Sequence, residues 1–197
     1  LESLLRAVIA LLPLALLAAC DRQSSTAPQP GASANVAESA KPVGPEAAYT
    51  LDTSQRGKAP PKESFNGPDG KPTSLAAFTG KPYLVNLWAT WCGPCVKELP
   101  SLDRLAVRAG GKLTVLVVNQ DDMKQAVDPV PAWWAAHPLP HLALYRDGPN
   151  ALGFAYASGM LPTTILYDAG GKEVWRVIGG MDWDSAKANK LLAAFVS

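Results

Sequence analysis

The chain has 197 residues, of which 48% are hydrophobic, and it carries 18 Lys and Arg against 17 Asp and Glu. That length fits one globular domain with extensions, and the net charge of +1 gives no electrostatic basis for a nucleic-acid partner. Three cysteines are too few for a structural disulfide framework or a four-cysteine zinc site. We therefore expect one domain with a substantial apolar core.

The first twenty residues are typical of an export signal. A polar start containing Arg6 precedes an apolar run over residues 7–17, which is too short for a comfortable membrane span. Small residues then precede Cys20, and this pattern resembles the processing site of bacterial lipoproteins. The resemblance implies a signal peptide over residues 1–19 and lipidation of Cys20, while a plain secretory signal with an incidental cysteine is the alternative. Asp21 resembles the inner-membrane retention signal of some Gram-negative lipoproteins.

A linker is predicted to follow the lipidated cysteine. Residues 20–48 are rich in Ser, Ala, Pro, Gly and Gln and show no apolar period, which is typical of a flexible segment. About 28 such residues span roughly 30 Å on average, enough to hold a domain away from a bilayer. Residues 49–197 are assigned to the folded domain.

The domain begins with strand patterns and continues with a strand–helix–strand unit. Turn residues between short apolar segments over 64–75 predict a β-hairpin, and Ser74 is a candidate cap for a short helix. A strand over 83–87, a helix from 95 to about 108 and a buried strand over 113–119 then form a βαβ unit.

The second half of the domain continues the alternation of helix and strand. The remaining predicted elements are a helix over 123–136 interrupted near 128–131, a strand over 142–145, a helix over 152–157, two strands over 163–167 and 173–178 paired as a hairpin, and a closing amphipathic helix over 185–196. This pattern predicts an α/β domain.

A Cys-x-x-Cys motif lies between the strand over 83–87 and the N-terminus of the next helix. Unpaired backbone N–H groups and the positive end of the helix dipole favour a negative sulfur there, and the pKa of a thiol in such a motif falls from about 8.5 to roughly 7 or lower. The thiolate is the form that attacks a disulfide. Because Cys92 precedes the helix, we expect its sulfur to reach solvent and to act as nucleophile, with the more shielded Cys95 as resolving thiol.

The residues around the motif resemble a known family. Gly93 permits close approach of a partner backbone, and Pro94 fits the first helical turn. The run from Trp91 to Cys95 resembles the active site of thioredoxins, and residues 86–100 resemble the membrane-tethered, TlpA/ResA-like branch more closely. This resemblance implies a thioredoxin-like α/β fold: a central mixed sheet with helices on both faces, preceded by a β-hairpin extension. It also implies thiol–disulfide exchange with no cofactor or metal.

The same resemblance assigns roles to two residues before the strand over 163–167. Thioredoxin-like proteins place a cis-proline beside the Cys-x-x-Cys, and Pro162 falls at the matching point. A proline there leaves the backbone of Leu161 free to pair with a client strand, and it hinders close metal binding by the two sulfurs. A trans proline at a strand start is the alternative. The expected client contacts are Trp91, Gly93, Pro94 and Leu161.

A glutamate one helical turn after the second cysteine is a further candidate. TlpA/ResA-like proteins carry a glutamate at the position of Glu98, and burial would raise its pKa and let it shuttle protons. A solvated residue near the helix dipole is the plainer alternative. Asn86 stands where thioredoxins have a buried aspartate, so that proton relay is not carried over and Glu98 is expected to replace it.

The remaining aromatic and histidine residues are weaker candidates. Trp91 is expected to be exposed and to form a wall for the partner, whereas Trp88 is expected in the core. At least one of the adjacent tryptophans at 133 and 134 is also expected in the core. Metal binding by His137 and His141 is disfavoured, because the prolines between them forbid the regular helix on which an i, i+4 ligand pair depends.

The resemblance implies a monomeric reductase anchored to the bacterial inner membrane and facing the periplasm. The Gly-Pro between the cysteines resembles reducing thioredoxins near roughly −270 mV. Re-reduction would come from a membrane electron carrier resembling DsbD or CcdA. Implied clients are copper-site cysteines in cytochrome oxidase assembly or the haem-site cysteines of apocytochrome c, and residues 161–164 favour the TlpA type. A disulfide oxidase or isomerase, or a Cu(I)-binding metallochaperone module using both thiolates, are the alternatives.

Overall fold

Strands and helices alternate along residues 49–196, the part of the chain that the computed structural model describes. The predicted signal peptide, Cys20 and the linker lie outside these residues. The eight described strands are β1 (Thr50–Asp52), β2 (Ser64–Asn66), β3 (Pro72–Ser74), β4 (Tyr83–Trp88), β5 (Thr114–Asn119), β6 (Leu144–Arg146), β7 (Thr163–Tyr167) and β8 (Glu173–Ile178). The helices are α1 (Gly93–Ala109), α2 (Val130–Ala136), α3 (Ala151–Tyr156) and α4 (Ala186–Val196), with a short 3-10 helix at Leu75–Phe78.

The strands form one mixed sheet in the order β1-β8-β7-β4-β5-β6-β2-β3. The central strand β4 runs parallel to β5 and antiparallel to β7, and all six of its residues are buried. Strands β7 and β8 form the predicted antiparallel hairpin, and β2 pairs with β3 as the predicted N-terminal hairpin. Because β4, β5 and β6 are parallel, the segments that follow them meet at one edge of the sheet.

Helices cover both faces of the sheet, as predicted. On one face, Leu99, Leu102 and Leu105 of α1 pack with Leu192 of α4 in the larger apolar cluster. On the other, Leu152 of α3 packs with side chains from the 3-10 helix and from β4, β5 and β7 in a second cluster. The sheet is therefore the middle layer of a three-layer α/β domain.

Helix α1 sets the position of the redox motif. Cys92 occupies its N-cap, and Pro94 lies in the first turn, where a missing N–H costs little. The helix ends at Gly110, which adopts a left-handed conformation with φ of 56°. It begins two residues earlier than predicted, so both residues between the cysteines are helical.

Two local predictions differ from the structure, and one strand was not predicted. The predicted helix over 123–136 is wrong in its first half, because Pro129 and Pro131 confine the helix to Val130–Ala136 and Asp128 instead accepts a hydrogen bond from the Val130 N–H. Strand β1 was not predicted; its three residues carry no recognisable alternation. Ser74 does occupy the N-cap of the 3-10 helix, but its side chain makes no capping hydrogen bond.

Candidate active site

The two cysteines of the motif form a disulfide at the N-terminus of α1. The sulfur of Cys92 accepts a hydrogen bond from the backbone N–H of Cys95 at 3.3 Å, and the Cys92 carbonyl accepts one from Val96 at 3.0 Å. Cys92 is 6% exposed and Cys95 is fully buried. The helix N-terminus therefore supplies a backbone donor to the outer sulfur, the one that an approaching partner meets first.

The residues on either side of Cys92 are more exposed than Cys92 itself. Trp91 is 72% exposed, and Gly93 and Pro94 are also exposed. Cys92 is less accessible than the sequence suggested, because in this oxidised state its sulfur is bonded to the fully buried Cys95. A client must therefore reach the disulfide between the exposed residues that flank it.

Pro162 lies beside this edge of the sheet, and the Leu161–Pro162 peptide bond is cis, as expected. Thr163 begins β7 and pairs with Leu87 of β4, so Pro162 falls opposite the end of β4 that leads to the disulfide. The Pro162 carbonyl accepts the Gly179 N–H at 2.9 Å. Leu161 is half-buried.

Glu98 is a buried carboxyl on the same face of α1 as Cys95, being three residues further along the helix. It is 3% exposed. Its Oε1 accepts a hydrogen bond from Asn86 Nδ2 at 2.6 Å, and its Oε2 accepts one from the Met181 N–H at 2.9 Å. Burial raises the pKa of Glu98 to about 7, outweighing the opposite effect of the hydrogen bonds from Met181 and Asn86. A carboxyl with this pKa exchanges protons near neutral pH.

Asn86 holds Glu98 against the sheet. Its Nδ2 donates a second hydrogen bond to Thr164 Oγ1 at 2.9 Å, while its Oδ1 has no partner among the described residues. The amide therefore links the carboxyl of α1 to strands β4 and β7. The sequence around the cysteines could not reveal this hydrogen bond, because Thr164 lies 78 residues from Asn86 along the chain.

A family model described as Redoxin matches residues 55–192. The chain belongs to the Redoxin family. The thiol-disulfide oxidoreductase ResA of Bacillus cereus is 31% identical over 126 residues, covering 64% of this chain and 70% of the relative. The pneumococcal exposed lipoprotein thioredoxin Etrx1 is 28% identical with a TM-score of 0.56, covering 66% and 98% of the two chains. A DsbE-type thiol:disulfide interchange protein from Chlorobium tepidum shares the fold, with a TM-score of 0.64, 22% identity and coverage of 72% and 98%.

This redoxin is a thiol-disulfide oxidoreductase of the ResA type with a thioredoxin-like fold, as the sequence motifs predicted. The match begins before the β2–β3 hairpin and continues into α4, so it includes both cysteines, Glu98 and Pro162. Within residues 49–196, no helix is long and apolar enough to cross a membrane.

The structure also places a buried carboxylate beside the redox loop that sequence reasoning missed. Asp121 is 2% exposed, and its carboxylate accepts hydrogen bonds from the N–H and Oγ–H of Thr90, two residues before Cys92. One signal could have found it: Asp121 follows a buried parallel strand, at the same edge of the sheet as the disulfide.

The tryptophans and histidines considered in the sequence analysis lie at different places in the domain. Trp88 is fully buried, and its ring contacts Trp133 with centroids 4.9 Å apart. His137 stacks on Trp133 at 3.9 Å, while the backbone N–H of His141 donates to Asp103. Among the residues that the structure describes, no group of three or more His, Cys, Asp and Glu side chains is arranged to hold a metal ion.

Proposed function

We propose that this redoxin reduces disulfides in client proteins of the bacterial periplasm, tethered to the inner membrane through lipidated Cys20. The observation that carries the proposal is the Cys92–Cys95 disulfide at the N-terminus of α1, where Cys92 occupies the N-cap and is 6% exposed and Cys95 is fully buried. One sulfur then meets the client, and the other waits until a mixed disulfide has formed.

The reaction follows from this arrangement. The Cys92 thiolate of the reduced protein attacks one sulfur of a client disulfide, and the other client sulfur leaves as a thiolate. Cys95 then attacks Cys92 and expels the second client sulfur, leaving the Cys92–Cys95 disulfide seen here. Two electrons pass to the client. Glu98, with its pKa raised to about 7, accepts the proton that Cys95 must lose before it attacks.

The tether and partners complete the proposal. Support for a lipid anchor comes from the Leu-Ala-Ala-Cys20 sequence and from the pneumococcal relative, whose name describes an exposed lipoprotein. A reductase in an oxidising compartment needs continual re-reduction, for which we propose a membrane electron carrier resembling DsbD or CcdA. The proposed clients are copper-site cysteines in cytochrome oxidase assembly or haem-site cysteines of apocytochrome c.

Trapping experiments test the client role. The full chain with Cys95→Ser is expected to accumulate mixed disulfides through Cys92 in cells, because the resolving sulfur is missing. The matched control Cys92→Ser retains only the buried sulfur and is expected to trap none. Identification of the captured proteins names the clients. Equal capture by both variants, or by neither, would contradict the proposed division of roles.

A potential measurement tests the direction of electron flow. Equilibration of the Cys92–Cys95 couple with glutathione is expected to give a value close to that of thioredoxins, roughly −270 mV. A value above about −150 mV would instead assign the protein to disulfide oxidases or isomerases. Tight stoichiometric Cu(I) binding without any trapped client would assign it to metallochaperones.

A further inference from the structure

We propose that Asp121 is a positioning residue that fixes Cys92 through Thr90 and thereby stabilises the Cys92–Cys95 disulfide. This inference concerns the exchange equilibrium of the enzyme itself and does not depend on which clients it serves. The site consists of a buried carboxylate at the end of β5 and the short loop that joins β4 to α1.

The Asp121 carboxylate accepts hydrogen bonds from Asn119 at the end of β5 and from Thr90 in the loop. Asp121 Oδ2 accepts hydrogen bonds from the Thr90 N–H at 2.8 Å and from Asn119 Nδ2 at 2.7 Å, and Oδ1 accepts one from Thr90 Oγ at 2.7 Å. The Asp121 N–H donates back to Asn119 Oδ1 at 3.2 Å. Hydrogen bonds to an ionised acceptor are stronger than neutral ones, and burial strengthens them further.

Thr90 controls where Cys92 begins the helix. The Cys92 N–H donates to the Ala89 carbonyl at 3.1 Å, so Thr90 and Trp91 form the middle of a tight turn. Both hydrogen bonds from Thr90 to Asp121 anchor that turn to β5. The end of β5 is itself fixed, because the Gln120 N–H donates to the Trp88 carbonyl at 2.8 Å. Rotation of the turn would therefore break two hydrogen bonds to a buried charge.

Anchoring of the turn shifts the equilibrium between the disulfide and the two free thiols in one direction. Holding Cys92 in place lowers the entropy lost when its sulfur bonds to Cys95, and this favours the disulfide over two free thiols. A loosened turn makes ring closure less favourable, so the disulfide becomes easier to reduce.

The test compares four variants of the full chain. Asp121→Asn leaves one acceptor oxygen for three donors, and Thr90→Val removes only the hydroxyl. Thr90→Ser keeps both donors and is the conservative control. Asp147→Asn is the matched control: Asp147 is a fully buried carboxylate just after β6 that accepts the N–H groups of Ala151 and Leu152 in α3. Its backbone N–H donates to the Asn119 carbonyl, a hydrogen bond that the substitution keeps, and the hydrogen bonds from Thr90 go to Asp121 and not to Asp147.

The readout is the equilibrium constant of the Cys92–Cys95 disulfide with glutathione, measured by alkylation and mass spectrometry of the peptide that carries both cysteines. Urea unfolding of each oxidised variant is measured in parallel. We expect Asp121→Asn to make the disulfide about tenfold easier to reduce, a rise of roughly 30 mV, and Thr90→Val about threefold. Thr90→Ser stays within twofold of the wild type.

The Asp147→Asn control separates positioning from general loosening. It is expected to lower resistance to urea while leaving the disulfide equilibrium within twofold of the wild type. A shift as large as that of Asp121→Asn would overturn the proposal, because any buried-carboxylate loss would then suffice. So would an unchanged equilibrium in Asp121→Asn. If Asp121→Asn does not fold, Thr90→Val against Thr90→Ser decides by the same measurement.

Discussion

Two buried glutamates on opposite faces of the sheet differ in what surrounds them. Glu98 and Glu173 are each 3% exposed. The carboxylate of Glu173 accepts hydrogen bonds from two nitrogens of Arg176, both at 2.7 Å, and a third Arg176 nitrogen donates to the Tyr156 carbonyl. Glu98 forms no ion pair within residues 49–196, and the donors that bond its carboxyl, Asn86 and Met181 among them, are neutral.

The difference shows which buried acid is available for chemistry. The hydrogen bonds that Arg176 donates to Glu173 raise the pKa of Arg176, so the guanidinium keeps its charge and the pair has a structural role. Without a cation, burial dominates at Glu98 and raises its pKa to about 7. Equal burial therefore produces a fixed ion pair in one place and an exchangeable proton in the other, and the second lies one helical turn from the resolving cysteine.

Breaking the ion pair gives the largest expected effect. Arg176→Met leaves Glu173 buried without its cation, and we expect a loss of about 3–5 kcal/mol in the free energy of unfolding, measured in urea. The double variant with Glu173→Leu is expected to recover most of this loss. The disulfide equilibrium should be unchanged in both, since the pair lies on the face opposite α1. A loss below about 1 kcal/mol in Arg176→Met would contradict the structural role.

Removing the exchangeable proton should give the next largest effect. A folded-state pKa of about 7 against 4.5 unfolded means that native protein binds the extra proton between these values. This contribution to stability is complete below about pH 4.5, declines as pH rises, and is lost above about pH 7. It amounts to about 3 kcal/mol. The difference in unfolding free energy between wild type and Glu98→Gln should therefore change by that amount from pH 4 to pH 8.

The same variant separates chemistry from stability. If Glu98 accepts the proton from Cys95, the rate of mixed-disulfide resolution in wild type should rise through an inflection near pH 7. Glu98→Gln should lack this inflection and resolve at least about tenfold more slowly at pH 8. A pH profile shared by both proteins would remove Glu98 from the reaction.

Exchanging the donor that holds Glu98 should have a smaller effect. Asn86→Asp replaces the Nδ2 that lies 2.6 Å from Glu98 Oε1 with a second carboxyl oxygen. Two carboxyls at this distance share one proton, so the pKa of the pair rises further and ionising both is unfavourable. We expect about 2 kcal/mol lower stability at pH 8 than the wild type, with a smaller difference at pH 5. A pH-independent loss would mean that only packing had changed.

The smallest loss of stability is expected from breaking an exposed ion pair. Arg104 Nε lies 2.6 Å from Asp184 Oδ2, but the arginine side chain is 59% exposed. Arg104→Ala is therefore expected to cost less than about 1 kcal/mol in urea unfolding, and less again at high salt. A loss comparable to that of Arg176→Met would show that exposure does not distinguish the two pairs.

Local patterns predicted most of the fold. The last two strands matched their predicted bounds because two short apolar runs flank a glycine turn, and the Cys-x-x-Cys identified the site because its two cysteines are close in sequence. The failures have physical causes: the helix begins only at the prolines that were expected to interrupt it, and β1 is defined only by pairing with β8.

The surroundings of the site were beyond local patterns. Sequence reasoning could state only that Glu98 would gain a raised pKa if buried. Asn86 and Met181 donate hydrogen bonds to it, Thr164 in turn holds Asn86, and the Met181 N–H lies 83 residues away along the chain. The hydrogen bonds from Thr90 to Asp121 likewise join residues 31 apart. Such contacts depend on the register of the assembled sheet.

The same register determines where the chain joins the domain. Thr50, at the start of β1, pairs with Ile178, which pairs with Thr163, which in turn pairs with Leu87 near the end of β4. At about 4.8 Å per strand, Thr50 lies roughly 14 Å across the sheet from β4, at the edge that carries the disulfide. The described chain therefore enters the domain at the end of the sheet where the disulfide lies, three strands away from β4.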